Sequence, residues 1–175
     1  MKLKEGYAHV NPLLGNVTLQ VSDNFMVGGA LSWVGVGATI KASARLGDNL
    51  YGSVGGMALL GFYDIGPAFF PYINLTSGDH NSNFSVALAA LTFNGEVSPM
   101  INISACKEVN PRLWFITENY YFTDPMLFRE QVMLSFGARW WSSSKNSLAE
   151  FALMLMITED GEALPIPWVG RTWPF

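Results

Sequence analysis

The feature that most constrains this chain is the stretch 38–61, ATIKASARLGDNLYGSVGGMALLG. Read with a period of two, Ala38, Ile40, Ala42, Ala44 and Leu46 share one face, and Thr39, Lys41, Ser43 and Arg45 share the other. Such alternation marks a strand with one apolar and one polar side, because successive side chains leave a strand in opposite directions. Gly47, Asp48 and Asn49 then supply residues that tolerate positive φ, and a second strand-like run returns from Leu50. The stretch is a β-hairpin.

The unit recurs. VSDNFMVGG at 21–29 and RLGDNLYGSVGG at 45–56 share an Asp-Asn turn, an apolar residue and a Gly pair. SGDHNSNFSVALAAL, EVNPRLWFITEN and SSSKNSLAEFALML are looser copies, with turn centres near 23, 48, 80, 110 and 144. A solenoid of similar period would be helical or carry a fixed consensus. These copies keep only alternation and turn chemistry, which predicts a β-meander.

Eleven strand-like segments follow: 6–22, 25–33, 38–46, 50–61, 69–77, 83–93, 100–109, 113–122, 131–141, 147–157 and 165–175. Pro12 splits a short piece from the first. Pro71 removes a ladder donor and predicts an edge, an end or a bulge in its strand. NGEVS at 94–98 and TDPMLFRE at 123–130 read as loops. No helical period of useful length appears, and at 175 residues the chain is one domain, 1–175.

Composition narrows the environment. Half the residues are hydrophobic and only 14% are charged, against roughly 25% charged in an ordinary soluble domain. The net charge of −4 argues against nucleic acid as a partner, since a nucleic-acid face is basic. The lone Cys106 provides neither an intramolecular disulfide nor a metal-ligand cluster, and no motif predicts a cofactor. The longest apolar run, 151–157, is far short of the roughly 18 residues a spanning helix requires. No secretory signal is legible, because MKLKEGYAHV leads into Asn-Pro without an apolar core.

Charge placement then separates a soluble barrel from a membrane barrel. Lys41, Arg45, Glu108, Glu118, Arg139 and Glu150 lie on the small or polar faces of their strands, opposite faces of Ala, Val, Leu, Ile, Phe and Trp. Few inward charges, of both signs and among Gly, Ser and Ala, fit the interior of a closed barrel whose apolar face meets lipid. Backbone groups facing lipid must all pair, so the sheet has to close. The six residues are therefore predicted to form a lumen-facing polar network, with Ile40, Ala42, Leu134, Phe136, Phe151 and Leu153 toward lipid.

The aromatics Trp33, Phe62, Tyr63, Phe69, Phe70, Trp114, Tyr120, Tyr121, Phe122, Trp140, Trp141, Trp168 and Trp173 gather toward strand ends, as interfacial girdles do. Asp79-His80 is the only acid–His neighbour pair, and its setting in Gly-Asp-His-Asn-Ser reads as a turn. His9 falls in an N-terminal segment expected to fray. No catalytic residue is predicted.

LTSGDHNSNFSVALAAL, PMINISACKEVNPRLWFITENYYF and the ending LPIPWVGRTWPF resemble a group of uncharacterised outer-membrane β-barrel proteins of Bacteroidota-type Gram-negative bacteria. KEGYAHV and VSDNFMVGGAL are similar to that group's early strands, so the resemblance covers nearly the whole chain. It implies a location and a fold but no reaction, and interior positions for Glu118, Arg139 and Glu150. Against that group the chain looks truncated or engineered at its N-terminus, by a signal peptide and one strand. Arg171 falls on the apparent lipid face of the last strand, and Pro174 interrupts an ending that keeps the terminal aromatic Phe175.

The expectation is an all-β, closed antiparallel up-and-down transmembrane barrel of about 10–12 strands. Its interior is expected to be filled by side chains, with room at most for a small path. Its partners would be membrane lipid or detergent, and its role structural or porin-like passage of small solutes. Two other classes stay open: a soluble β-barrel carrier of an apolar ligand, and a membrane-embedded hydrolase.

Overall fold

The structure, a computed structural model, describes residues 5–11, 14–33, 35–62, 66–123, 130–143, 146–158 and 160–175. These form twelve strands: β1 (Glu5–Val10), β2 (Leu14–Ser22), β3 (Phe25–Ser32), β4 (Gly35–Gly47), β5 (Leu50–Gly61), β6 (Ala68–Gly78), β7 (Ser82–Phe93), β8 (Glu96–Asn110), β9 (Leu113–Phe122), β10 (Glu130–Ser142), β11 (Ser147–Thr158) and β12 (Ala163–Pro174). Each pairs antiparallel with its chain neighbours, and β1 pairs with β12, so the sheet closes into a barrel. The first predicted segment is thus two strands, with Tyr7 opposite Thr18 and His9 opposite Asn16. Pro12, at which the sequence was expected to split, lies outside the described residues.

The recurring turns all lie at one end of the barrel. Residues 23–24, 48–49, 79–81, 111–112 and 143–146 join successive hairpins there, beside both chain termini. We call this the turn end. The opposite loop end carries the two longest connections, 62–67 and 123–129. A hairpin every thirty residues therefore counts two strands and one return through the loop end.

Two sequence expectations change. NGEVS is not a loop: Asn94 (φ 50°) and Gly95 (φ 86°) alone make the turn, and β8 starts at Glu96. Two consecutive positive φ values give the primed turn whose twist matches a hairpin, so no further loop residues are needed. Pro71 is at neither an end nor an edge. It sits within β6 opposite Gly56, where the β6–β7 ladder skips from Phe69–Thr92 to Tyr72–Ala89. The missing N–H falls in that gap.

Burial is inverted relative to a soluble protein. Ile40 is 53% exposed, Leu60 65%, Phe136 46% and Phe151 50%, all on the outer face. Polar groups on that face bond back to the wall. The Thr117 hydroxyl donates to the Ser135 carbonyl (2.6 Å), and the Asn119 amide donates to the Ile103 carbonyl (3.2 Å) and accepts from the Ser135 N–H (3.3 Å). In hydrocarbon an unpaired polar group costs several kcal/mol, so such bonding is what lipid exposure demands. A soluble carrier would hold its large apolar side chains inside, and this barrel carries them outside.

Candidate functional site: the lumen

The site is built by the inward half of the alternation. Registers carry one inner face around the ring: Thr18–Gly28–Thr39–Met57–Phe70, then Asn74–Ala87–Asn102–Tyr120–Met133. Small residues dominate it from β3 to β7. A Cβ on Gly28 would lie 2.7 Å from the Val17 carbonyl oxygen and 2.8 Å from the Thr39 hydroxyl. One on Gly55 would lie 2.5 Å from the Tyr72 hydroxyl, so that glycine admits the phenol. The lumen is not filled. It holds a cavity of about 1030 Å³ bordered by Tyr7, His9, Glu118, Tyr120, Arg139, Glu150, Trp168 and their neighbours. Twelve strands give a wider ring than the filled small barrels.

Of the six predicted network residues, Arg139 and Glu150 are brought together. They face each other across β10 and β11, and Nε (2.9 Å) and Nη2 (2.7 Å) of Arg139 both donate to Oε2 of Glu150. Glu118 stands on the inner face of β9 and accepts a hydrogen bond from the Tyr120 hydroxyl. Lys41 is mid-strand on β4, opposite Met26 and Gly55, and no described residue pairs with its ammonium. Arg45 is drawn out of the lumen. Its Nε donates to the Gly47 carbonyl (2.9 Å) and its Nη2 to the carbonyl (3.1 Å) and carboxylate (3.3 Å) of Asp48, beside a register shift that ends the strand. Glu108 lies opposite Trp114 just before another shift at the turn end, with its N–H donating to the Asn81 carbonyl (2.8 Å).

His9 is not frayed. It belongs to β1, and its ring lies between Asn11 and Thr172. The Asn11 amide donates to Nε2 (3.2 Å), which leaves Nδ1–H to donate to the Thr172 hydroxyl (2.8 Å). In that tautomer the imidazole cannot take the Thr172 proton, so the pair is not a nucleophile and its base. The signal was present as alternation, Tyr7 and His9 against Ala8 and Val10. Closure by β12 makes it a strand, because Gly170 leaves room where a Cβ would sit 2.9 Å from His9 Cε1.

Asp79 does not face His80 as a catalytic acid. Its carboxylate accepts the backbone N–H groups of Asn81 and Ser82, both at 2.8 Å, and its amide neighbour Asn83 donates to its carbonyl. Those two N–H groups hold the Asp79 carboxyl below its ordinary value. Among the described residues no group of three or more His, Cys, Asp or Glu is gathered as a metal site would require.

The predicted girdle divides. Trp33, Phe62, Phe69 and Tyr121 are exposed at the loop end, and Trp140 and Trp173 at the turn end. Phe70, Trp114, Tyr120, Phe122, Trp141 and Trp168 instead take inward positions in the registers. Tyr63 lies outside the described residues. Arg171 is outward, opposite Ala149 and Val10, near the turn end. Its Nε donates to the Ser147 hydroxyl (3.0 Å) and its guanidinium lies 5.6 Å from the Trp173 ring centroid, a cation–π pair suited to an interface. Phe175 continues the closure, exchanging backbone hydrogen bonds with Gly6 at 3.0 and 2.9 Å.

A closed twelve-stranded antiparallel barrel, apolar outside and polar within, is the architecture of the porin-type membrane barrels. Solved structures agree on the fold. A KdgM porin in complex with disordered oligogalacturonate is similar over 98% of both chains at a TM-score of 0.70 and 10% identity. A KdgM porin structure matches at 0.67 and 11% over 98% of both chains. A NanC porin in a rhombohedral crystal form matches at 0.63 and 11% over 96% of both chains. No family model and no curated protein matches the sequence.

Proposed function

We propose that this chain is an outer-membrane channel of porin type, a single domain over 1–175, that passes small solutes through its lumen and catalyses no reaction. The observation that carries the reading is the cavity of about 1030 Å³, bordered by His9, Glu118, Arg139 and Glu150 among apolar side chains, inside a barrel whose outer face is apolar. Its partners are the lipids, or detergent, that cover that face. The short turns beside the chain termini point to the periplasm and the longer connections to the exterior, as in bacterial barrels generally. The Bacteroidota-type source is part of this proposal and rests on the resemblance of LTSGDHNSNFSVALAAL and LPIPWVGRTWPF to barrels of such bacteria. Lys41, Glu118, Arg139 and Glu150 form the lumenal polar set, with Arg45 and Glu108 at its turn-end rim.

Refolded protein in a planar lipid bilayer tests this directly. Discrete conductance steps are expected, and a silent bilayer despite correct insertion would favour a purely structural role.

A further inference from the structure

Counting register around the ring puts the lumenal charges at one depth. The ladder row through Lys41 runs Gly55, Tyr72, Ala89, Met100 and Phe122, and Glu118 is four residues from Phe122 toward the turn end. With strands tilted about 40°, spaced about 4.8 Å and rising about 3.3 Å per residue, the climb along the row and the descent along β9 nearly cancel. Lys41 and Glu118 therefore lie within roughly 10 Å of each other in depth, on walls about five strands apart in a ring of twelve. The same count brings Arg139 and Glu150 into that slab, where they neutralise each other. What remains is an ammonium on β4 without an ion-pair partner among the described residues, and on β9 a carboxylate that accepts a tyrosine hydroxyl.

Resting on the channel reading above, we infer that this belt sets the solute class: small zwitterions, such as amino acids or short peptides, cross in preference to acidic solutes. Opposite charges on opposing lumen walls, Glu118 at the cavity and Lys41 beyond its border, make a transverse field that the low-dielectric walls focus. A solute with an ammonium and a carboxylate aligns in it, the ammonium toward Glu118 and the carboxylate toward Lys41. A polyanion meets one free cation and one carboxylate at the same depth, and finds no basic track among the described lumenal residues.

The test uses the full chain in proteoliposomes, with uptake of labelled glycylglycine, gluconate and arabinose, and reversal potentials in a salt gradient. Wild type is expected to pass glycylglycine about three- to tenfold faster than gluconate, the scale of one or two partly hydrated charge contacts. K41M should shift the reversal potential toward cation selectivity and E118Q toward anion selectivity, with arabinose uptake showing that each variant still conducts. The exchange K41E/E118K should retain the glycylglycine preference, because a zwitterion can turn around. Gluconate moving as fast as glycylglycine, or reversal potentials that neither variant moves, would overturn the inference while leaving the channel intact. Absence of arabinose uptake in wild type would remove the channel reading and the inference with it.

Discussion

The two halves of the lumen wall follow the same strand alternation and do opposite things with it. From β3 to β7 many inner positions hold small residues, Gly28, Gly37, Gly55, Ser43, Ser53, Ser85 and Ala87, beside Lys41, Phe70 and Tyr72. From β9 through β12 to β1 they hold Trp114, Glu118, Tyr120, Arg139, Glu150, Trp168 and His9, which reach into it. The difference teaches how a twelve-stranded barrel keeps a cavity and a polar belt together. One wall is kept thin at its glycines, and the other carries the cavity-lining groups that must be paired.

The paired wall should fail hardest when a partner is removed. Arg139→Met leaves Glu150, whose side chain is only 15% exposed, without its cation. A loss of about 2–3 kcal/mol is expected, below the figure for a fully buried pair because Arg139 itself is 40% exposed. Urea unfolding in lipid vesicles measures it, and Arg139→Met with Glu150→Leu should recover most of the loss. If the single variant is as stable as wild type, the belt is not held by that pair.

The small wall should fail by crowding instead. Gly55→Val would meet both the Tyr72 hydroxyl and the Ile40 carbonyl oxygen, at 2.5 and 2.6 Å from the new Cβ. About 1–3 kcal/mol of destabilisation is expected, as for overpacking elsewhere. Adding Tyr72→Ala should restore only part of it, since the carbonyl belongs to the backbone and cannot withdraw. Full restoration would show that the wall yields and that only the phenol limits its thickness.

A third comparison sets the mid-wall against its rim. Phe136→Arg, on the outer face of β10, should cost about 2–4 kcal/mol if position 136 lies near the bilayer midplane, whereas Arg171→Leu should change stability by about 1 kcal/mol or less. Equal effects would mean the apolar band is displaced along the barrel. Cysteine scanning in a Cys106→Ser background adds facing: position 136 should react with a lipid-soluble probe in liposomes and resist a charged one, and position 41 should not react as a lipid-exposed site.

The smallest effect lies in the turn between β6 and β7. The Asp79 carboxyl is held below its ordinary 3.8 by the Asn81 and Ser82 N–H groups, so the ionised form is favoured in the folded turn. Its contribution is complete above that ordinary value and is lost as pH falls through the lower, folded one. Asp79→Asn should remove that pH dependence from hairpin stability at and below the ordinary carboxyl value, read by comparing acid unfolding of the two proteins. An unchanged acid profile would show that the turn is held by its backbone alone.

The sequence by itself determined the outer surface and the topology. Alternation decides which side chains share a face, and the placement of Lys41, Glu118, Arg139 and Glu150 decides which face cannot meet lipid. The turn residues at 23, 48, 80 and 110 set where hairpins fold back, since Gly, Asn and Asp act through local backbone preference. Closure was expected from the sequence, but where the ring closes belonged to the tertiary structure. That seam made a strand of Glu5–Val10 and gave His9 its Thr172 partner, whereas Trp114 shares the Glu118 face by alternation and read as girdle only from its place near a strand end. The tertiary structure also decided that Arg139 pairs with Glu150, that Lys41 has no ion pair among the described residues, and that Arg45 folds onto its own turn. Period two tells two faces apart, but register, tilt and ring size fix which residues of distant strands meet at one depth, and those are properties of the closed sheet.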